Sequence, residues 1–134
     1  MRNVAPVTHP GPEAQVRALW SAYGRGGPTA MAGLIDDDVE WVPFETGHAV
    51  SYAEITGEWG RRQHERISVV VHGFETYGDC VICHGSMRTF RHGGFVDVQP
   101  SWVYFFRGER LVRAQGYGSR KQAMAAVAAA AAAP

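Results

Sequence analysis

The sequence is short of most features that assign a chain to a compartment or a polyanionic partner. Two cysteines among 134 residues are too few for the disulfide framework of a small secreted protein. Thirteen Lys and Arg balance thirteen Asp and Glu, so no long-range field draws nucleic acid or anionic lipid. No apolar run can span a bilayer, the Ala-rich stretch after Lys121 being too short. The opening MRNVAPVTHPGPE has no continuous apolar core of the kind a secretory signal needs. There is no internal repeat, no linker and no recognised nucleic-acid motif. These absences predict a single-domain, cytoplasmic protein with neither nucleic acid nor membrane as partner.

What is present is clearest between Gly78 and Ser119. Three runs rich in Val, Ile, Phe, Tyr and Trp are joined by two glycine-containing turns, a composition suited to pleated strands. Taking His92-Gly93 as a two-residue hairpin loop fixes a register by alternation. Arg88 then faces Asp97, Ser86 faces Gln99 and His84 faces Ser101 on one side. Met87 faces Val98, Gly85 faces Pro100 and Cys83 faces Trp102 on the other. The ion pair, the polar pairs and the apolar pairs all sort correctly. Arg107-Gly108-Glu109 is read as a three-residue loop, which sets Trp102 opposite Ala114 and Pro100 near Gly116. A two-residue loop would swap the faces of the last strand.

The rest of the chain is read in order. Residues 1–11 form a flexible tail. Pro12 and Glu13 open a helix whose apolar stripe is Val16, Leu19, Trp20 and Tyr23, closed by the glycines before Pro28. A short helix from Thr29 to Ile35 precedes Asp36-Asp37-Asp38, read as a solvated turn. Val39 to Phe44 is a short strand closed by Pro43. Ser51 to Glu54 has capping-box spacing and starts a helix bearing Tyr52, Ile55 and Trp59, weakened by Gly57 and Gly60. The basic stretch Arg61 to Arg66 leads into a strand from Ile67 to Tyr77, and Ser119 caps a closing helix. The domain spans 12–127, with 128–134 an Ala-rich frayed end. The class is α+β, with helices packed over one face of a curved antiparallel sheet.

At this point the chain resembles the SnoaL-like branch of the nuclear-transport-factor-2-like (NTF2-like) superfamily. The resemblance is carried by Trp20-Ser-Ala-Tyr23, by Leu34-Ile-Asp-Asp-Asp-Val-Glu-Trp41, by Ser101-Trp-Val-Tyr-Phe-Phe-Arg-Gly-Glu-Arg-Leu-Val-Arg113 and by Gly116-Tyr-Gly-Ser-Arg-Lys-Gln-Ala123. It implies an NTF2-like cone of sheet and helices around an apolar pocket for a small hydrophobic molecule. It also implies a homodimer, here through the outer face with Ser86, Gln99, Ser101, Val103, Phe105, Gln115 and Tyr117. Ketosteroid isomerases, polyketide cyclases and epoxide hydrolases share the fold, so fold alone does not give function. The positions of their catalytic groups fall on Val42, Trp102, near Leu19, near Cys83, Gly85 or Met87, and near Gly116. No side chain at these positions can take over that acid–base chemistry.

The pocket expected from the resemblance is lined by Trp41, Val42, Trp59, Cys83, Met87, Pro100, Trp102, Tyr104, Ala114 and Gly116, with Tyr52 as a further aromatic. If catalysis occurs, the candidates are His48 and Glu45 in the loop after the first strand, and Tyr23. A histidine with a nearby carboxylate could act as an oriented general base; the alternative is an exposed loop histidine. His84 belongs to a polar network or a dimer contact, and His9, His64, His72 and His92 to the surface or loops. Cys80 and Cys83 lie three apart on a strand, hence on opposite faces, and read as packed thiols with no metal or redox role. No cofactor is called for. The reading is a ligand-binding or accessory domain. The alternative is a small cyclase, isomerase or hydrolase of polyketide-, steroid- or terpenoid-like compounds, and a pure dimerisation module is a third option.

Overall fold

The computed structural model describes residues 11–132 except 45 and 92. The expectations for the N-terminal tail, Glu45, His9 and His92 lie outside the described residues. The elements in chain order are α1 (Pro12–Gly26), a 3-10 helix (Pro28–Leu34), β1 (Ile35–Val42), α2 (Tyr52–Thr56), α3 (Glu58–Arg66), β2 (Ile67–Tyr77), β3 (Cys80–Arg91), β4 (Gly94–Val98), β5 (Ser101–Arg107), β6 (Arg110–Tyr117) and α4 (Arg120–Ala132). The basic stretch before β2 is therefore helix α3. It is separated from α2 at Gly57, which ends one helix and caps the next. The capping box at Ser51 forms as its spacing predicts.

The six strands make one unclosed sheet in the order β1-β6-β5-β3-β2, with β4 also on β3. The four long strands pair antiparallel, and β1 adds to β6 in parallel. Strand β3 serves two partners: Cys80 to His84 pair with β5, and Met87 to Arg91 pair with β4. Gln99 and Pro100 break the partner strand between them, and proline has no N–H to give a ladder. The first hairpin keeps the anticipated register, with Arg88 opposite Asp97, Met87 opposite Val98 and Cys83 opposite Trp102.

The second hairpin corrects the reading. Arg107 pairs with Arg110, so the loop is the two residues Gly108-Glu109, with Gly108 at φ +60° as such a tight turn requires. The faces are not swapped, because the pairing skips Val112 between Phe105–Arg113 and Phe106–Leu111. Trp102 consequently lies opposite Gly116, and Tyr104 opposite Ala114. A second bulge sits at His72, between the pairs Val71–Gly85 and Gly73–His84. It shifts the alternation of β2, so Val69 and Val71 face the concave side while Glu75, opposite Ile82, faces outward. The Asp36 to Asp38 run is not a turn but lies within β1, where the register to β6 slips between Ile35 and Glu40. Asp36 there accepts the N–H of Asp38 at 2.9 Å.

Most of the core lies between the concave face and α1, the 3-10 helix, α2 and α3. Val16, Ile35, Val81, Cys83 and Leu111 are fully buried there. Each such aliphatic side chain contributes about 1.5–3 kcal/mol relative to exposure. Helix α4 packs on the opposite, outer face, where Ala123 meets Cys80, Ile82 and Val103, flanked by Phe105 and Tyr117. Much of the outer surface expected to meet a second copy is thus covered by the chain's own last helix, with Val103 and Ser101 each only 2% exposed.

Candidate functional site

Inside the cone lies a cavity of about 100 Å³. Helix α1 contributes Leu19, Trp20 and Tyr23, and the 3-10 helix contributes Pro28 and Met31. Trp41 and Pro43 come from the end of β1, and Ile55, Trp59, Gly60 and Gln63 from α2 and α3. Ile67, Val69, Met87, Trp102 and Tyr104 come from the concave face of the sheet. Alternation explains the sheet's share, since every second residue of a strand points inward. All four tryptophans of the chain meet at this one void. Among the described residues, none that lines it carries a carboxylate, ammonium, guanidinium or imidazole group.

The walls are held by ring packing. Trp20 meets Trp102 edge-on at 5.3 Å between centroids and Tyr23 at 5.8 Å, while Tyr23 meets the His64 ring at 4.6 Å. A Cβ on Gly85 would lie 3.0 Å from the Trp102 ring and 2.6 Å from the Val70 carbonyl oxygen, so the indole rests against bare backbone. Tyr104 is 3% exposed, and burial raises its phenol well above the usual value.

The polar group that stands out is the indole N–H of Trp20. Its nitrogen is buried and has no hydrogen-bond partner among the described residues. It lies near the Cys83 thiol and the Tyr104 hydroxyl and eases the ionisation of both. With either, however, it makes no bond of hydrogen-bond geometry. A buried donor left this way costs about 1–3 kcal/mol. The Nδ1 of His64 is likewise buried without a partner among the described residues, behind Tyr23 and against Gly27. His64 is therefore a packed residue of α3, not a surface histidine.

Of the anticipated lining, the structure brings Trp41, Trp59, Met87, Trp102 and Tyr104 together, with Tyr23 from the catalytic candidates. Val42 is opposite Gln115, one step out of phase with Trp41, and so turns away from the cavity. Cys83, Pro100 and Ala114 are buried beneath or beside the wall and do not line it. Gly116 is covered by Phe44, whose Cβ would be 2.7 Å from a Cβ placed there. Tyr52 donates its hydroxyl to the Ala32 carbonyl at 3.3 Å and does not reach the void. His48 is exposed in the loop after β1, its backbone bonded to Thr46, and it does not line the cavity. Sequence reasoning missed Trp20, Met31, Ile55 and Gln63 as lining residues. The helical stripe did carry Leu19 and Trp20 beside the candidate Tyr23, but read those two only as an apolar face.

A second polar constellation lies on the outer face. Ser101 Oγ is 2.8 Å from His84 Nδ1, and the opposite ring nitrogen, Nε2, bonds Glu75. Glu75 also accepts two bonds of 2.6 Å from Arg120 and one of 2.7 Å from Tyr77. The Arg120 contacts, with help from Tyr77 and His84, hold its carboxyl down at about 2. The order serine, histidine, carboxylate is that of a nucleophile relay, but Ser101 is buried and the carboxylate is committed to Arg120. Its evident work is to join α4 to β2, β3 and β5. His72 has its own partner, Ser86 Oγ at 2.6 Å.

A curved, unclosed sheet wrapped on four helical segments around an aromatic void defines a domain of NTF2-like cone fold. The sequence matches no protein-family model and no curated protein. Among solved structures it is similar to an NTF2-like protein from Burkholderia thailandensis, at 21% identity over 89% of this chain and 98% of that one, with a TM-score of 0.72. A protein of ketosteroid-isomerase-like fold from Catenulispora acidiphila, in complex with trimethylamine, is 24% identical over 87% and 92%, TM-score 0.64. A protein from a Jannaschia species, named for the SnoaL-like polyketide cyclases, is 14% identical over 97% and 100%, TM-score 0.63. At these identities the likeness establishes the fold.

Proposed function

We propose that the protein is a small-molecule-binding domain, with a binding or accessory role, whose ligand occupies the aromatic void of the cone. The observation that carries this reading is the convergence of all four tryptophans, with Tyr23 and Tyr104, on one cavity whose described lining carries no charge. A mostly apolar concavity with a few polar tips is the usual form of such a site. The likeness to a cone-fold protein in complex with trimethylamine supports a small occupant. Two buried, unpaired cysteines fit a reducing, cytoplasmic setting. A thermal-shift screen of small hydrophobic molecules tests the reading. Ligands that bind the folded state should raise Tm with the logarithm of free ligand over Kd, and Trp59→Ala should abolish the shift. A library that moves no melting curve would sink it.

The likeness to a SnoaL-like cyclase favours a second reading, an enzyme of the cyclase, isomerase or hydrolase kind. Among the described candidates Tyr23 reaches the cavity, where its phenol O–H could donate a hydrogen bond to a substrate oxygen. Tyr23→Phe would then abolish turnover and leave binding nearly intact.

The proposal extends to a homodimer. With α4 over Ile82 and Val103, the outer-face apolar side chains that stay open at the β2–β3–β4 end of the sheet include Val70, Phe90 and Phe95.

A further inference from the structure

The cavity has a closed floor and an open side. Of its lining, Met31, Ile55, Met87 and Trp102 are buried, whereas Trp59, Gln63, Ile67 and Val69 are half-buried. The void therefore meets solvent at a rim that includes α3 and the start of β2. Gln63 brings a side-chain amide to that rim, and the amide makes no hydrogen bond with a described residue. Beside it on α3 stand two arginines. Arg62 lies three positions after Trp59 and Arg66 three after Gln63, and residues three or four apart are neighbours on a helix. Both are exposed, and neither makes an ion pair or hydrogen bond with a described residue. The acidic residues of the same helix are engaged elsewhere, Glu58 and Glu65 both meeting Arg61, at 3.0 and 3.7 Å.

Resting on the binding reading above, we propose that the ligand is a small aliphatic carboxylate. Its apolar tail fills the void, and its carboxylate stays at the rim, accepting from the Gln63 amide in the field of Arg62 and Arg66. Desolvation sets this orientation. A carboxylate carried to the floor would find no basic group in the described lining, and a buried charge without a partner is very costly. At the rim it keeps water and two cations. An ammonium head would face those same cations, and a neutral head would gain nothing from them. Arg66 by itself complements the C-terminal end of the helix dipole. That role does not extend to Arg62, a turn earlier, and like charges at i,i+4 disfavour a helix slightly until an anion relieves them. Size selects the tail. The void, about 100 Å³, is smaller than the cavity of about 150 Å³ that admits benzene, so it suits a narrow chain.

The test is a titration of nitrogen-15-labelled full-length protein at neutral pH with pentanoate, pentanamide and pentylammonium, which share a tail and differ in the head. Entry of the tail is read from the tryptophan indole resonances, since all four indoles border the void. Pentanoate should bind about tenfold more tightly than pentanamide, the gain expected of two exposed charges, and pentylammonium should be weakest. Arg62→Gln combined with Arg66→Gln should remove most of that preference, as should salt raised to about 0.5 M. Gln63→Leu should weaken pentanoate by about fivefold, the loss of one hydrogen bond. Three results overturn the inference while the binding reading stands: pentanamide or pentylammonium binding as tightly as pentanoate, a preference that survives the double substitution, or pentanoate shifts confined to α3 with the indoles unmoved. No binding by any probe removes the binding reading and the inference with it. If the double variant does not fold, the salt dependence in the unaltered protein decides alone.

Discussion

Three residues apart on β3, Cys80 and Cys83 end in separate packing clusters on opposite faces of the sheet, as the alternation of a strand demands. Burial drives both thiols up, Cys80 to about 11 and Cys83 to about 12, with the weak pull of Arg113 on the first and of Trp20 on the second unable to compensate. The thiolate is the reactive form. Neither cysteine should therefore react with a thiol reagent such as DTNB at pH 8 while the protein is folded, and both should react at once in denaturant. Rapid native labelling of either would show that the burial is breached. This much was legible from the sequence, because it depends only on which way successive side chains point. The unpaired indole N–H of Trp20 was not. Its place on the stripe of α1 follows from helical spacing, but its lack of an acceptor depends on what stands across from it. That is Cys83 and Tyr104, brought there by strands far along the chain.

Elements meet through a few tight contacts. Gly60 of α3 packs so closely on α2 that a Cβ would lie 1.8 Å from the Ile55 carbonyl oxygen and 3.1 Å from the Pro28 Cβ. The glycine looks like a helix weakener, yet it is what lets α3 close over the cavity. Gly60→Ala should destabilise by about 3 kcal/mol or more in urea melts, through forced separation of the backbones. A loss no greater than that at an open site such as Gly24 would refute this. Helix α4 is held differently, by the Glu75–Arg120 pair. Glu75 has its carboxyl depressed from 4.5 to about 2, so its contribution to stability is fully present above the unfolded value. It is lost as pH falls from about 4.5 through about 2. Glu75→Gln should accordingly be less stable than the parent at pH 6 and converge with it near pH 2, measured by denaturant midpoint. A gap of constant size would mean that the charge of Glu75 is irrelevant. Strand positions and the first hairpin could be read in advance from alternation and the His92-Gly93 turn. The bulges at His72 and Val112 could not, since neither position carries a turn signal. They arise from how neighbouring strands must bend together, and it is the His72 bulge that sends Glu75 outward to meet Arg120.

At the scale of the whole molecule, the open apolar side chains among the described residues include Val70, Phe90 and Phe95, with Phe95 70% exposed and edge-on to Phe90 at 5.4 Å. Light scattering over a concentration series should give a dimer mass, and Phe95→Asp should return it to that of one chain. A single-chain mass at every concentration would rule the dimer out. The cone itself was foreseen from the resemblance, and the outer position of α4 was not, because an Ala-rich helix has no stripe to say which face it seeks. The cavity has one more consequence, an optical one. Because every indole in the chain borders the same void, the tryptophan emission of the protein, excited selectively at the red edge, comes from a single neighbourhood. Anything that enters, leaves or rearranges there alters the whole of that signal, so the molecule carries a built-in reporter of its own interior.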